Sequence, residues 1–281
     1  MMKKNLQTSA LSVALTVASM TASATGFVQL PATGVVIDGG KSAYITCNTT
    51  GEFGSNPNGS TPPTFSPNGG ANNTCALKSI DPPVAGYTQT ASVVRDIVMN
   101  NAYTLNQPIT VGTVVDRVWR KGVSCIYGAK IRLNNVDYDR RAISPGVQYF
   151  EVNDILRANF LKKAPVSVAY VYTTRGPGQS DDVVYRAGLT NTSVVNFPGD
   201  PAQPLISVAP INRKWVDFTT DISFQDDDGS SVRDSAWLLV KSTCSEQTPA
   251  ETDGALKFRQ MGQEEQPLIE VRVKAFDPSA Q

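Results

Sequence analysis

"TVGTVVDRVWRKGVSCIYGAKIRL", residues 110–133, decides what kind of fold this chain can build. Thr, Val and Ile crowd both halves, and apolar side chains recur at every second position. β-branched side chains lose rotamer freedom in a helix and pack well on a pleated surface, so both halves read as strands. Between them lies "RKG" (Arg120, Lys121, Gly122), a turn signal. The same texture recurs in 43–47, 166–174, 182–188, 214–224, 236–244 and 268–276, with "RGPG" at Arg175 and "FPGDPAQP" at Phe197 as punctuation. Many short strands at such spacing predict a mainly β chain, an antiparallel β-sandwich-like domain.

One exception stands out. In "EVNDILRANFLKKAP", Asn153 suits a helix N-cap and Asp154 the positive end of the helix dipole. Leu156 and Phe160 stack at i, i+4, Lys162 and Lys163 suit the last turn, and Pro165 stops it. A short α-helix over about 152–163 is therefore expected. "SVVRDIVMNN" (92–101) fits helix and strand equally. An outer-membrane barrel would need regular strands of about ten residues with lipid-facing alternation. The strands here are irregular, and the last residues, "FDPSAQ", offer no terminal aromatic.

Residues 1–24 read as a signal peptide: Lys3 and Lys4, an apolar run "ALSVALTVASM" (10–20), then Ala22-Ser23-Ala24 as cleavage site. The run is too short to span a bilayer, which takes about 20 apolar residues. The chain is thus expected to be exported, bacterial in style, to the periplasm or cell exterior, with 25–281 as a single β-rich domain. Its four cysteines agree with an oxidising compartment. None is spaced C-x-x-C, and the expected pairs are Cys47–Cys75 and Cys125–Cys244. The first pair brackets 48–74, whose apolar side chains are Phe53, Phe65 and Ala71 alone, so an exposed loop is expected there. Closing a loop of that length stabilises by about 3–4 kcal/mol in the chain-entropy model.

Composition excludes much chemistry. The chain has no histidine, so Ser-His-Asp and Cys-His nucleophiles and His-bound zinc or copper are ruled out. Neither a P-loop nor a G-x-G-x-x-G run opening a helix is present. Without Lys3 and Lys4, 25 basic residues become 23 against 25 acidic ones, a net charge of −2 that argues against nucleic acid as a partner. Carboxylate chemistry such as glycoside hydrolysis is the remaining enzymatic route, because it needs only two acids at a set separation.

"FQDDDGSS" (224–231) poses the sharpest question of function. With Gly229 at position 6 of a calcium loop, Asp226 and Asp228 fall on positions 3 and 5. Position 1 is then Phe224 and position 12 is Ser235, so an EF-hand is rejected. A looser calcium cage from Asp226, Asp228 and Asp234 is the weak alternative. The preferred reading is a solvated hairpin turn at Asp228-Gly229 between the strands 214–224 and 236–244. Millimolar calcium should then leave the melting temperature unchanged. A rise of several degrees, abolished by Asp226→Ala with Asp228→Ala, would establish a metal site instead.

Charge is unevenly spread. Arg117, Arg120, Lys121, Lys130, Arg132, Arg140 and Arg141 crowd one segment, and Asp217, Asp221, Asp226, Asp227, Asp228 and Asp234 another. Internal ion pairing at a sheet edge is the preferred explanation; complementary head and tail in self-association is the sharper one. The chain is thus expected to be a non-enzymatic exported β protein with a structural, adhesive or surface-assembly role and no cofactor, its partner a protein or surface polysaccharide. The alternative is a carbohydrate-binding module, calcium-assisted or not, using Trp119, Tyr138, Tyr170, Tyr172 or Trp215 as sugar platforms. The core is the preferred place for all five.

Overall fold

A computed structural model describes residues 26–37, 40–47, 75–176, 179–192, 209–225, 232–245, 249–261 and 267–278. Residues 1–24, expected to be a signal peptide, residues 48–74, expected to be an exposed loop, and the aspartates 226–228 lie outside the described residues. Within the described residues the chain is all-β, in line with the mainly β, sandwich-like fold expected. The opening stretch forms β7 (Ile109–Lys121) and β8 (Ser124–Leu133), an antiparallel hairpin. Gly122 takes φ +57° in its two-residue turn, a conformation that a β-branched residue there would resist. β6 (Thr88–Met99) adds on the far side of β7, so 92–99 of the ambiguous stretch 92–101 is strand.

The first sheet continues from β8 through β15 (Trp237–Thr243) and β10 (Ser167–Val171) to β1 (Val28–Gln29), with the short β5 (Ala76–Leu77) running parallel to β10. The second sheet holds, in order, β17 (Leu268–Asp277), β16 (Ala250–Met261), β9 (Val152–Ala158), β14 (Trp215–Ile222), β13 (Arg186–Gly188) and β4 (Tyr44–Thr46). Two ribbons lie apart from both: β2 (Val35–Ile37) with β3 (Gly40–Ser42), and β11 (Thr174–Gly176) with β12 (Gln179–Ser180). The main core joins Val114, Val118 and Ile131 of the first sheet to Ile155, Phe218, Phe258 and Val271 of the second. A smaller apolar cluster on the opposite face of the first sheet holds Trp119, Trp237 and Leu239, covered by Phe27, Ile80 and Val84. Gly128 sits beneath it because a Cβ there would lie 2.7 Å from Trp119.

Both expected disulfides are present. Cys47–Cys75 ties the end of β4 to the start of β5, and so one sheet to the other. Cys125–Cys244 staples neighbouring strands of the first sheet, beside the bond from the Cys244 N–H to the Val123 carbonyl.

Two expectations are corrected. Residues 152–158 form the strand β9, not the start of a helix over 152–163. β9 lies between β14 and β16, and all seven of its side chains are buried. Both faces being covered, the apolar residues do not alternate with exposed polar ones, and the pattern imitates a helix. The cap-like Asn153 and Asp154 serve cross-strand bonds, and Phe160 stacks edge-on against Tyr127 at 6.2 Å. The second correction concerns 223–236. Its flanking strands, β14 and β15, belong to different sheets, so this stretch is a crossover and not a hairpin turn. At its base the Ser223 N–H donates to the Val232 carbonyl, and residues 226–231 lie outside the described residues.

Candidate functional site

Carboxyl groups buried in the strands are the chemically distinctive feature of this molecule. They fall into three groups, set by which way each strand turns its side chains. The first faces inward. Asp116 on β7 and Arg157 on β9 meet between the sheets at 2.8 Å, with side chains 0% and 2% exposed. Asp116 also accepts the Phe276 N–H at 2.7 Å, and Arg157 donates to the Phe276 carbonyl at 2.5 Å. Burial pushes the Asp116 carboxyl above its usual range, against the downward pull of Arg157. The unit pins β7, β9 and β17 to one another.

The second group occupies the other face of the second sheet. Register puts Asp154 opposite Thr219, and Leu156 opposite Asp217, so Asp154 and Asp217 are diagonal neighbours on one face. Both are wholly buried. Thr219 donates to Asp154 Oδ1 at 3.0 Å, and Arg186 Nε donates to Thr219 Oγ1 at 3.1 Å. The Arg186 guanidinium lies 4.6 Å from the centre of the Tyr44 ring. Tyr44 Oη is 2.8 Å from Asp217 Oδ2 and also 2.8 Å from the Thr192 carbonyl oxygen. Burial and then the neighbouring Asp154 push the Asp217 carboxyl well up; burial and Asp217 do the same to the Tyr44 hydroxyl.

Residues 189–192, which follow β13, cross this face as a strap. Asn212 N–H donates to the Leu189 carbonyl at 2.7 Å, and Arg259 donates to the carbonyl and side-chain oxygens of Asn191 at 2.9 and 3.0 Å. Toward the sheet edge, Glu270 takes bonds from Arg272, Arg259 and Lys257 at 2.6, 2.8 and 3.2 Å. Burial works against the Glu270 charge, yet these cations hold its pKa down at about 2.

The third group lies at one end of β9. Asn153 donates to Glu151 and, at 3.4 Å, to Asp221. Asp182 accepts the backbone N–H groups of Asp221 and Val183 at 2.6 and 2.8 Å. Gln260 joins Glu151 N–H to the Tyr138 hydroxyl. These acids bind neighbouring backbone and amide groups and are no more than 2% exposed.

The residues singled out in the sequence are not brought together. Asp234 is 6% exposed and lies 3.7 Å from Arg132, an ion pair that links the basic segment to the acidic one internally. Its two proposed calcium partners, Asp226 and Asp228, lie outside the described residues. Among the described residues, no three acids or cysteines are placed to hold a metal ion. Trp119, Tyr138, Tyr170, Tyr172 and Trp215 are all buried, so none is a surface platform. Sequence reasoning missed Tyr44, Asp154, Arg186 and Asp217. Their signal was available: "VNDILRA" and "WVDFTTDI" carry aspartates inside otherwise apolar strands. No helix among the described residues is long and apolar enough to cross a membrane. Compared with protein families, curated proteins and solved structures, the chain matches none.

Proposed function

We propose that this chain is a non-enzymatic, exported structural protein that assembles through the open edge of its first sheet, with a second copy as the partner. The observation that carries this reading is β6. It is twelve residues long, sits at the end of its sheet and pairs with β7 alone among the described residues. Such an edge leaves backbone donors and acceptors for another strand, and Pro or Lys usually guards it. β6 has neither, its two register shifts against β7 lie toward its ends, at Gln89/Ala91 and Ile97/Val98, and it turns Val94, 64% exposed, and Val98 to solvent. Antiparallel pairing of two copies about Val94 would set Ser92 opposite Asp96 and Val93 opposite Arg95, with no like charges opposed. The disulfides and the internal use of the buried acids support a scaffold role over a catalytic one.

Val94→Lys tests this. The site is exposed, so the substitution should change stability by no more than about 0.5 kcal/mol. Sedimentation velocity over a wide concentration range should show the wild-type chain associating and the variant monomeric. Equal behaviour of the two would count against the β6 edge, and a wild-type monomer throughout against self-assembly.

A further inference from the structure

Tyr44 has one hydroxyl hydrogen and two acceptor-type neighbours, each at 2.8 Å: Thr192 O and Asp217 Oδ2. A backbone carbonyl can only accept. If the Tyr44 hydrogen goes to Thr192, the short contact with Asp217 is favourable only when the carboxyl itself supplies a proton. We propose that Asp217, Tyr44 and Thr192 form a one-proton relay, Asp217 Oδ2–H to Tyr44 Oη–H to Thr192 O, and that the strap 189–192 is fully tied down only while Asp217 is a neutral acid.

The surroundings favour the neutral form. Asp217 is fully buried, and among the described residues its Oδ1 has no hydrogen-bond partner, a costly position for an ionised carboxylate. Asp154 of β9 is its diagonal acidic neighbour. On β13, Arg186 spends Nε on Thr219 and lies against the rings of Tyr44 and Tyr185. On β16, Lys257 and Arg259 bind Glu270 of β17, and Arg259 also binds Asn191. The nearby cations thus have partners other than Asp217. Burial holds its carboxyl well above the usual range, in agreement with the relay.

Ionisation would reverse the chain of donors. A charged Asp217 would draw the Tyr44 hydrogen to itself, and Thr192 would lose its donor while a second charge appeared beside Asp154. The strap would then loosen as pH rises. The stability consequence has a definite sign. An acid whose folded pKa is raised costs nothing below its unfolded pKa of about 4, and stability falls as pH climbs from there toward the folded value. Asp217→Asn keeps a donor toward Tyr44 Oη and cannot ionise, so it should lack this fall.

Two measurements test the relay. In the wild-type chain, the ¹³Cγ resonance of Asp217 should remain that of a protonated acid at pH values where exposed aspartates have already titrated. Amide exchange of 190–192, normalised for intrinsic pH dependence, should rise on the order of fivefold as that resonance titrates. Asp217→Asn should hold the low exchange throughout, and Tyr44→Phe should show the high exchange at every pH. Titration of Asp217 together with the exposed aspartates would overturn the relay. So would a pH response surviving in Asp217→Asn. If that variant does not fold, the wild-type resonance decides alone.

Discussion

Replacing Cys125 and Cys244 together by alanine should destabilise the fold by about 5 kcal/mol, given the loop-closure entropy of a long cross-link. The two residues are 119 apart in sequence, and their Cα atoms lie 5.7 Å apart at the start of β8 and just past β15. That loss corresponds to a drop in melting temperature on the order of 10 °C. The Cys47–Cys75 bridge spans 28 residues, so its removal should cost less, about 3–4 kcal/mol. Urea unfolding of the two double variants ranks them. The reverse order would mean that the link between sheets matters more than loop length, through native packing or residual structure in the unfolded chain.

Asp116→Ala should cost about 3–5 kcal/mol, because it strands a buried guanidinium between the sheets. It also leaves the Phe276 N–H without its acceptor. Asp116→Leu combined with Arg157→Met would replace the ion pair by apolar packing and should recover much of the loss. Recovery should be incomplete, since both polar groups of Phe276 then lack partners, at about 1–3 kcal/mol for each buried orphan. A urea double-mutant cycle measures this directly. Additive single-variant losses would contradict a coupled Asp116–Arg157 unit.

Most of the strands were legible because β-branched residues and turn formers mark them locally. The helix expected over 152–163 failed because a sheet is covered on both faces there. β9 lies in the second sheet with the core on one side and the strap 189–192 near the other, so its polar residues are buried and its apolar ones do not alternate. Asn153 and Asp154 then carry the local signature of a helix start while serving cross-strand bonds. β16 was missed for a related reason. Its sequence "AETDGALKFRQM" lacks a β-branched run, and Lys257 and Arg259 are held there by Glu270 on the partner strand. The Asp228-Gly229 signal suggested a hairpin, but local turn chemistry cannot tell which sheet the next strand will join. Four cysteines without a C-x-x-C spacing suggested two disulfides among three possible pairings, and the fold brings together Cys47 with Cys75 and Cys125 with Cys244. The relay was not legible, because Tyr44, Asp217 and Thr192 meet only through tertiary register.

The most direct test of the assembly reading is hydrogen exchange at the β6 backbone, residues 88–99, followed as a function of protein concentration. Assembly through this edge predicts that β6 amides facing away from β7 become protected as concentration rises, in the wild-type chain and not in Val94→Lys. Association without added protection at β6, or β6 exchange that stays the same from dilute to concentrated solution, would contradict it.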